Sequence, residues 1–114
     1  MVTLTQQDNI HILTMAEGIS TELDNDSISA LHETLDAIEA KEDGPGALVI
    51  TGSGKAFSTG INLAALMNYT PEQLETFSVE LPRLFGRLLN FPLPTIAAIN
   101  GHTFAGGAFL ALVC

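Results

Sequence analysis

Two stretches of this chain follow one plan, and that repetition limits what the chain can become. Ala47 to Leu63 (ALVITGSGKAFSTGINL) reads as a short apolar strand, a glycine loop, an exposed turn and the start of a helix. Pro94 to Leu112 (PTIAAINGHTFAGGAFLAL) reads the same way. Adjacent Val49 and Ile50 suit a central strand buried on both faces. Two such units in sequence require crossover connections, which points to an α/β fold with a parallel sheet.

The remaining segments supply the layers around that sheet. Val2–Thr5 and Asn9–Met15 look extended, with Gln7-Asp8-Asn9 as the turn of a hairpin. His11 falls within the second strand and is expected to be half-exposed. Glu17 to Leu23 is read as a connector. A helix begins near Asp24 or Asn25, either of which can cap it. Ile28, Leu31, Leu35 and Ile38 form one apolar stripe at spacings of three, four and three. Lys41 closes that helix, and Gly44-Pro45-Gly46 stops it. Asn62–Met67 makes a helical turn, and Pro71 to Asn90 a longer helix that Pro82 is expected to kink or split. Arg83 and Arg87 are assigned to its solvated face. Thr95 to Ile99 is the next buried strand. Helix resumes at Phe104 or Ala105, with Phe109, Leu110 and Val113 turned inward.

At 114 residues the chain is one domain at most, and 46% apolar residues predict a packed core. A net charge of −9 with only four cations argues against nucleic acid and anionic membranes as partners. The single Cys114 excludes an internal disulfide framework. No secretory or transit pattern is visible at the start, and no apolar run is long enough for a membrane span. The last residues, Ala108 to Cys114, are apolar, with no stop signal or polar tail. A domain incomplete at its C-terminus is therefore expected.

Most glycine motifs fail on inspection. A P-loop needs Gly where Val49 stands and Ser or Thr where Ala56 stands. The dinucleotide pattern meets Phe57 in place of its third glycine. A nucleophile elbow around Ser58 meets Ala56 in place of its first glycine. The acidic residues have no metal-ligand spacing, so no metal is expected. What survives is a pair of sharp turns at the carboxyl ends of two strands, the edge where open α/β sheets bind ligands. Gly60 and Gly106-Gly107 allow main chain to approach closely, and Gly106 sits near a helix N-terminus, where its N–H lacks an intrahelical partner. Two such N–H groups aimed at one oxygen make an oxyanion hole. The same glycines equally serve plain tight turns.

Lys55-Ala56-Phe57-Ser58-Thr59-Gly60-Ile61-Asn62-Leu63 resembles the [KR]-x-F-[SC]-x-G-x-[DN]-L signature of the crotonase superfamily, the enoyl-CoA hydratases and isomerases. Pro94 to Gly101, followed by Gly106-Gly107, resembles its second signature. The resemblance implies a crotonase-like ββα spiral, of which residues 1–114 are the N-terminal part. It implies oxyanion-hole N–H groups at Ile61 and Gly106, and an acyl-CoA path lined by Ser58, Thr59, Gly60, Ile61, Asn62, Leu63 and Gly106. Coenzyme A then enters as part of the substrate, with no separate cofactor. Trimers or hexamers of the full-length protein are implied, in an intracellular setting that is peroxisomal or cytoplasmic, with the mitochondrion also open.

Two departures carry information. True hydratases hold a catalytic glutamate two positions after the last glycine of the second run; here that position is Phe109. Its loss is typical of the Δ3,Δ2-enoyl-CoA isomerase branch, whose single carboxylate is implied to lie beyond Cys114. The glycine run itself is Ala105-Gly106-Gly107. The resemblance thus favours isomerisation of 3-enoyl-CoA to 2-enoyl-CoA in fatty acid metabolism. A non-catalytic acyl-CoA-binding or interaction module, or another crotonase chemistry such as hydration or thioester hydrolysis, is the alternative.

Overall fold

In a computed structural model of the chain, residues 2–15, 21–41 and 44–114 are described. β1 (Val2–Gln7) and β2 (Ile10–Met15) form an antiparallel hairpin with Val2 opposite Met15 and Gln7 opposite Ile10. Asp8 closes it at φ 54°, a left-handed conformation that aspartate tolerates. β3 (Glu22–Leu23) and α1 (Asn25–Lys41) follow, then β4 (Ala47–Thr51), β5 (Ala56–Ser58), β6 (Gly60–Ile61), α2 (Leu63–Met67), α3 (Pro71–Leu89), β7 (Thr95–Ala98), β8 (His102–Thr103) and α4 (Gly106–Leu112). The main sheet has the order β1-β2-β4-β7. β4 is parallel to both of its neighbours, as the crossover argument requires. The expected connector places residues 17–20 outside the described ones, and its end, Glu22–Leu23, is a strand instead.

Helix α1 starts and faces as its sequence dictates. Asp24 Oδ1 accepts from the Ser27 N–H at 2.9 Å, and the Asp24 carbonyl accepts from the Ile28 N–H. The whole apolar stripe, Ile28, Leu31, Leu35 and Ile38, is buried, against Leu13, Leu48 and Ile50 of the sheet in one core. Each such side chain contributes about 1.5–3 kcal/mol of burial. Helix α3 begins with a reciprocal capping box between Thr70 and Gln73, with Pro71 just inside.

Several expectations need correction. Pro82 does not split α3, which is continuous from Pro71 to Leu89. Pro82 and Ser78 are both exposed, so solvent reaches the helix where Pro82 has no N–H to give the Ser78 carbonyl. His11 is buried at 5% exposure, while Ile10 beside it is 42% exposed. Both phases of that strand are largely apolar, and a period of two cannot say which phase turns inward. Within the described residues β7 is the outer strand of the sheet, and Ile96 on it is 52% exposed. On α4, Leu110 is fully buried but Phe109 faces outward, stacked on Phe85 with ring centroids 6.2 Å apart. Among the described residues, no helix is long and apolar enough to cross a membrane.

Arg87 is not a solvated-face residue. Its guanidinium donates to Asp36 Oδ1 at 2.6 Å, to Glu39 Oε1 at 3.0 Å and to the His32 carbonyl at 3.1 Å. It also lies 3.2 Å from His32 Nδ1, where the guanidinium is the donor. One side chain thereby clamps α3 onto α1 across 48 to 55 residues of chain. Replacing it with Ala is expected to lower the urea midpoint by the equivalent of about 1–3 kcal/mol. Arg87→Lys restores only part of this, because an ammonium cannot reproduce the fork. Equal midpoints for the three proteins would disprove the clamp.

Candidate functional site

The first glycine turn leaves β4 and is built from main chain and one hydroxyl. Ser58 is wholly buried. Its Oγ donates to the Thr21 carbonyl at 2.8 Å and accepts from the Gly60 N–H at 3.2 Å. Gly60 then takes φ 93°, a conformation open to glycine and strained for any residue with a Cβ. The chain enters β6, parallel to β3, with Gly60 opposite Glu22 and Ile61 opposite Leu23. The Thr59 N–H donates to the Thr21 carbonyl and the Asn62 N–H to the Leu23 carbonyl. Asn62 caps α2 by accepting from the Ala65 N–H at 3.0 Å, while its Nδ2 donates to Asp24 Oδ2 at 3.2 Å. The caps of α1 and α2 are therefore joined.

The second turn leaves β7 through Asn100 and Gly101 and runs beside the first. β8 pairs with β5 in parallel. The His102 N–H donates to the Lys55 carbonyl and the Phe104 N–H to the Ser58 carbonyl, each at 3.0 Å. Ala105, the residue in place of a first glycine, sits at φ 46° and ψ −116°. An L-residue adopts that only under constraint, at a cost of about 1–2 kcal/mol. The constraint is visible: Gly107 N–H donates to the Phe104 carbonyl at 2.8 Å and Ala108 N–H to the Ala105 carbonyl at 2.9 Å. Gly106 opens α4, so its N–H precedes the first intrahelical bond.

The two turns meet. A Cβ built on Gly60 would lie 2.9 Å from the Phe104 carbonyl oxygen and 3.1 Å from the Gly106 nitrogen. One built on Gly106 would lie 3.6 Å from Ile61 Cγ1 and 3.7 Å from Gly60 Cα. One built on Gly107 would collide with the Ser58 carbonyl oxygen at 2.3 Å. Gly60 and Gly106 are thus brought together main chain to main chain, with the Ile61 side chain beside them. Of the other residues expected to line a ligand path, Thr59 and Asn62 are half-buried and Leu63 is 68% exposed. Ser58 is different: its side chain faces inward and supports the turn. Lys55 is exposed on the loop before β5.

Titratable side chains beside these turns include Glu22 opposite Gly60, Asp24 bonded to Asn62, and His102 in β8. Phe109 offers no proton-transfer group. Burial pushes the Cys114 thiol at the end of α4 from 9.0 up to about 11, so it is not a ready nucleophile at neutral pH. Among the described residues no three His, Cys, Asp or Glu side chains gather as a metal site. Sequence reasoning missed Asn100, whose carboxamide bonds to the first loop. Its only signal was the Asn-Gly pair, which reads simply as a turn.

The glycines separate into two kinds that substitution distinguishes. Gly107→Ala is expected to cost well over about 2 kcal/mol or to prevent folding, because its Cβ meets main chain that cannot step aside. Gly54, at φ 69° with nothing within 4 Å, should lose only about 1–2 kcal/mol as Ala. Chemical denaturation of both variants checks the order; a Gly107→Ala protein as stable as Gly54→Ala would refute the close approach.

Known proteins resemble this chain along nearly its whole length. Residues 7–114 match the family described as enoyl-CoA hydratase/isomerase. A putative enoyl-CoA hydratase of Thermus thermophilus is 48% identical over 75% of this chain and 34% of its own length. The peroxisomal enoyl-CoA delta isomerase 1 of Arabidopsis thaliana is 31% identical over 98% of this chain and 47% of its own. The crystal structure of an enoyl-CoA hydratase from Mycobacterium marinum superposes with a TM-score of 0.87 at 35% identity, over 98% of this chain and 48% of that one. The chain therefore spans between about a third and a half of the length of these relatives. With both signatures on adjoining turns and this fold around them, the chain belongs to the enoyl-CoA hydratase/isomerase family and has the crotonase-type α/β fold.

Proposed function

We propose that the chain is the N-terminal part of a single crotonase-like domain that binds an acyl-CoA thioester, and that the main-chain N–H groups of Ile61 and Gly106 hold the thioester oxygen. The observation that supports this most is the close approach of the two turns, where a Cβ built on Gly60 would lie 3.1 Å from the Gly106 nitrogen. An oxygen seated there takes two hydrogen bonds from groups fixed by the sheet and by the start of α4, so little reorganisation is needed as charge develops. Each such donor contributes on the order of 3 kcal/mol in enzymes where it has been removed.

In the complete protein the reaction is the shift of a double bond from C3 to C2 of the acyl chain. A base removes a proton from C2, the electrons move into the thioester oxygen as a dienolate, and a proton returns at C4. The two N–H groups stabilise the dienolate oxygen. The shuttling carboxylate comes from chain following residue 114. Water addition needs a second carboxylate, and Phe109, at the position implied for it, has none. The similarity to a putative hydratase favours hydration as the second reading. The setting is fatty acid metabolism, and the assembly a trimer or hexamer.

Titration with acetoacetyl-CoA tests the site. Gly106→Ala keeps the N–H and adds a Cβ 3.3 Å from Leu23 Cδ1, so its affinity should stay within about threefold of wild type. Gly106→Pro removes the donor and also disfavours the Ala105 conformation before it, and should bind at least about tenfold more weakly. Equal affinity of the two variants would remove Gly106 from the site. By itself, this chain should give no detectable turnover of a 3-enoyl-CoA.

A further inference from the structure

The two turns must lie in one particular register for Ile61 and Gly106 to meet, and the strands between them fix it poorly. β5 and β8 share only two residue pairs, Ala56 with His102 and Ser58 with Thr103, and Phe57 is bulged between them. So short and irregular a ladder resists slippage weakly, and a slip of one residue would turn every side chain to the other face. Something else has to set the alignment where the second turn begins.

Asn100 is placed to do so. Its Oδ1 accepts from the Gly52 N–H at 2.9 Å. Its Nδ2 donates to the Ala56 carbonyl at 3.1 Å and to the Gly54 carbonyl at 3.2 Å. One carboxamide thus binds three main-chain groups of the first loop, spaced two residues apart, from a position 44 to 48 residues later. Neither carboxylate nor hydroxyl can supply that combination of one acceptor and two donors. Beyond it the contacts run in order. Gly101 lies against the Lys55 carbonyl, with room for no Cβ at 2.2 Å. His102 N–H bonds to Lys55 and Phe104 N–H to Ser58, and Gly106 then reaches Gly60.

We propose that Asn100 is a positioning residue: its carboxamide pins the register of the second turn on the first, and so sets where the Gly106 N–H stands relative to that of Ile61. The consequence for ligand binding rests on the acyl-CoA reading above; the pin itself does not.

The test uses the folded 114-residue chain labelled with nitrogen-15. Asn100→Ala removes all three bonds. Asn100→Asp keeps the acceptor for Gly52 and replaces both donor contacts with oxygen facing oxygen. Thr103→Ala, which removes only the local bond to the Gly101 carbonyl at 3.0 Å, is the control. In both Asn100 variants the amide signals of Ile61 and Gly106 should move, with the control unchanged. Affinity for acetoacetyl-CoA should fall about tenfold, and affinity for CoA thiol, which has no carbonyl, should stay within about twofold. Amides at Ile61 and Gly106 that stay put while residues 52–56 respond would overturn the pin, whatever happens to the thioester. Unfolding of both variants would overturn it too, making Asn100 a general requirement of the fold. If the amides move but wild type ignores acetoacetyl-CoA, the pin stands and the acyl-CoA reading fails.

Discussion

The structure depends on one constraint: two stretches of main chain must touch with no side chain between them. Gly107 stands over the Ser58 carbonyl and Gly60 over the Gly106 nitrogen, at separations that leave no space for a methyl group. Hydrogen bonds alone do not enforce such proximity, because most of the groups involved could be satisfied by water. It is enforced by what surrounds the turns. Ser58, sealed from solvent, holds Gly60 to Thr21, and the joined caps of Asp24 and Asn62 fix where the chain leaves toward α2. Ala105 measures how firmly this is done, since an alanine is kept at φ 46° by the turn around it.

That environment is a product of the larger frame. β4 lies between two parallel neighbours, so both loops leave the sheet from the same end, side by side. The α1 stripe covers the sheet, and Arg87 locks α3 onto α1 through two carboxylates and a carbonyl. Asp36 and Glu39 are exposed, so the ion pairs themselves contribute modestly, and the larger part of the clamp is the Arg87 bond to the His32 carbonyl. Its effect is to choose one packing of two helices that apolar contacts alone would allow to slide.

Much of this was legible in the letters. Ala47–Thr51 as a central strand, the α1 stripe, Pro71 at a first turn and Gly106 at a helix start all follow from local patterns of a few residues. What was hidden has a common cause: it is decided by partners far along the chain. β3, β6 and β8 have two residues each, too few for a period to register. Arg87 looked like a surface residue because Asp36 and Glu39 sit 51 and 48 positions earlier. Phe109 and Leu110 are adjacent apolar residues, and only the packing of α4 decides that the second is buried. Ser58 was assigned to the ligand path by resemblance, yet the fold turns its hydroxyl inward.

The proposed site places its donors on the backbone, and this separates geometry from chemistry. A main-chain N–H is the same group whichever residue carries it, so Ile61 can satisfy its neighbours in the core without altering what it donates. Register, glycine placement and helix start determine whether an oxygen is held. The side chains that stand opposite then add what the backbone cannot supply. Phe109 is one turn along α4 from Gly106, where it meets Phe85 of α3 and brings no proton-transfer group.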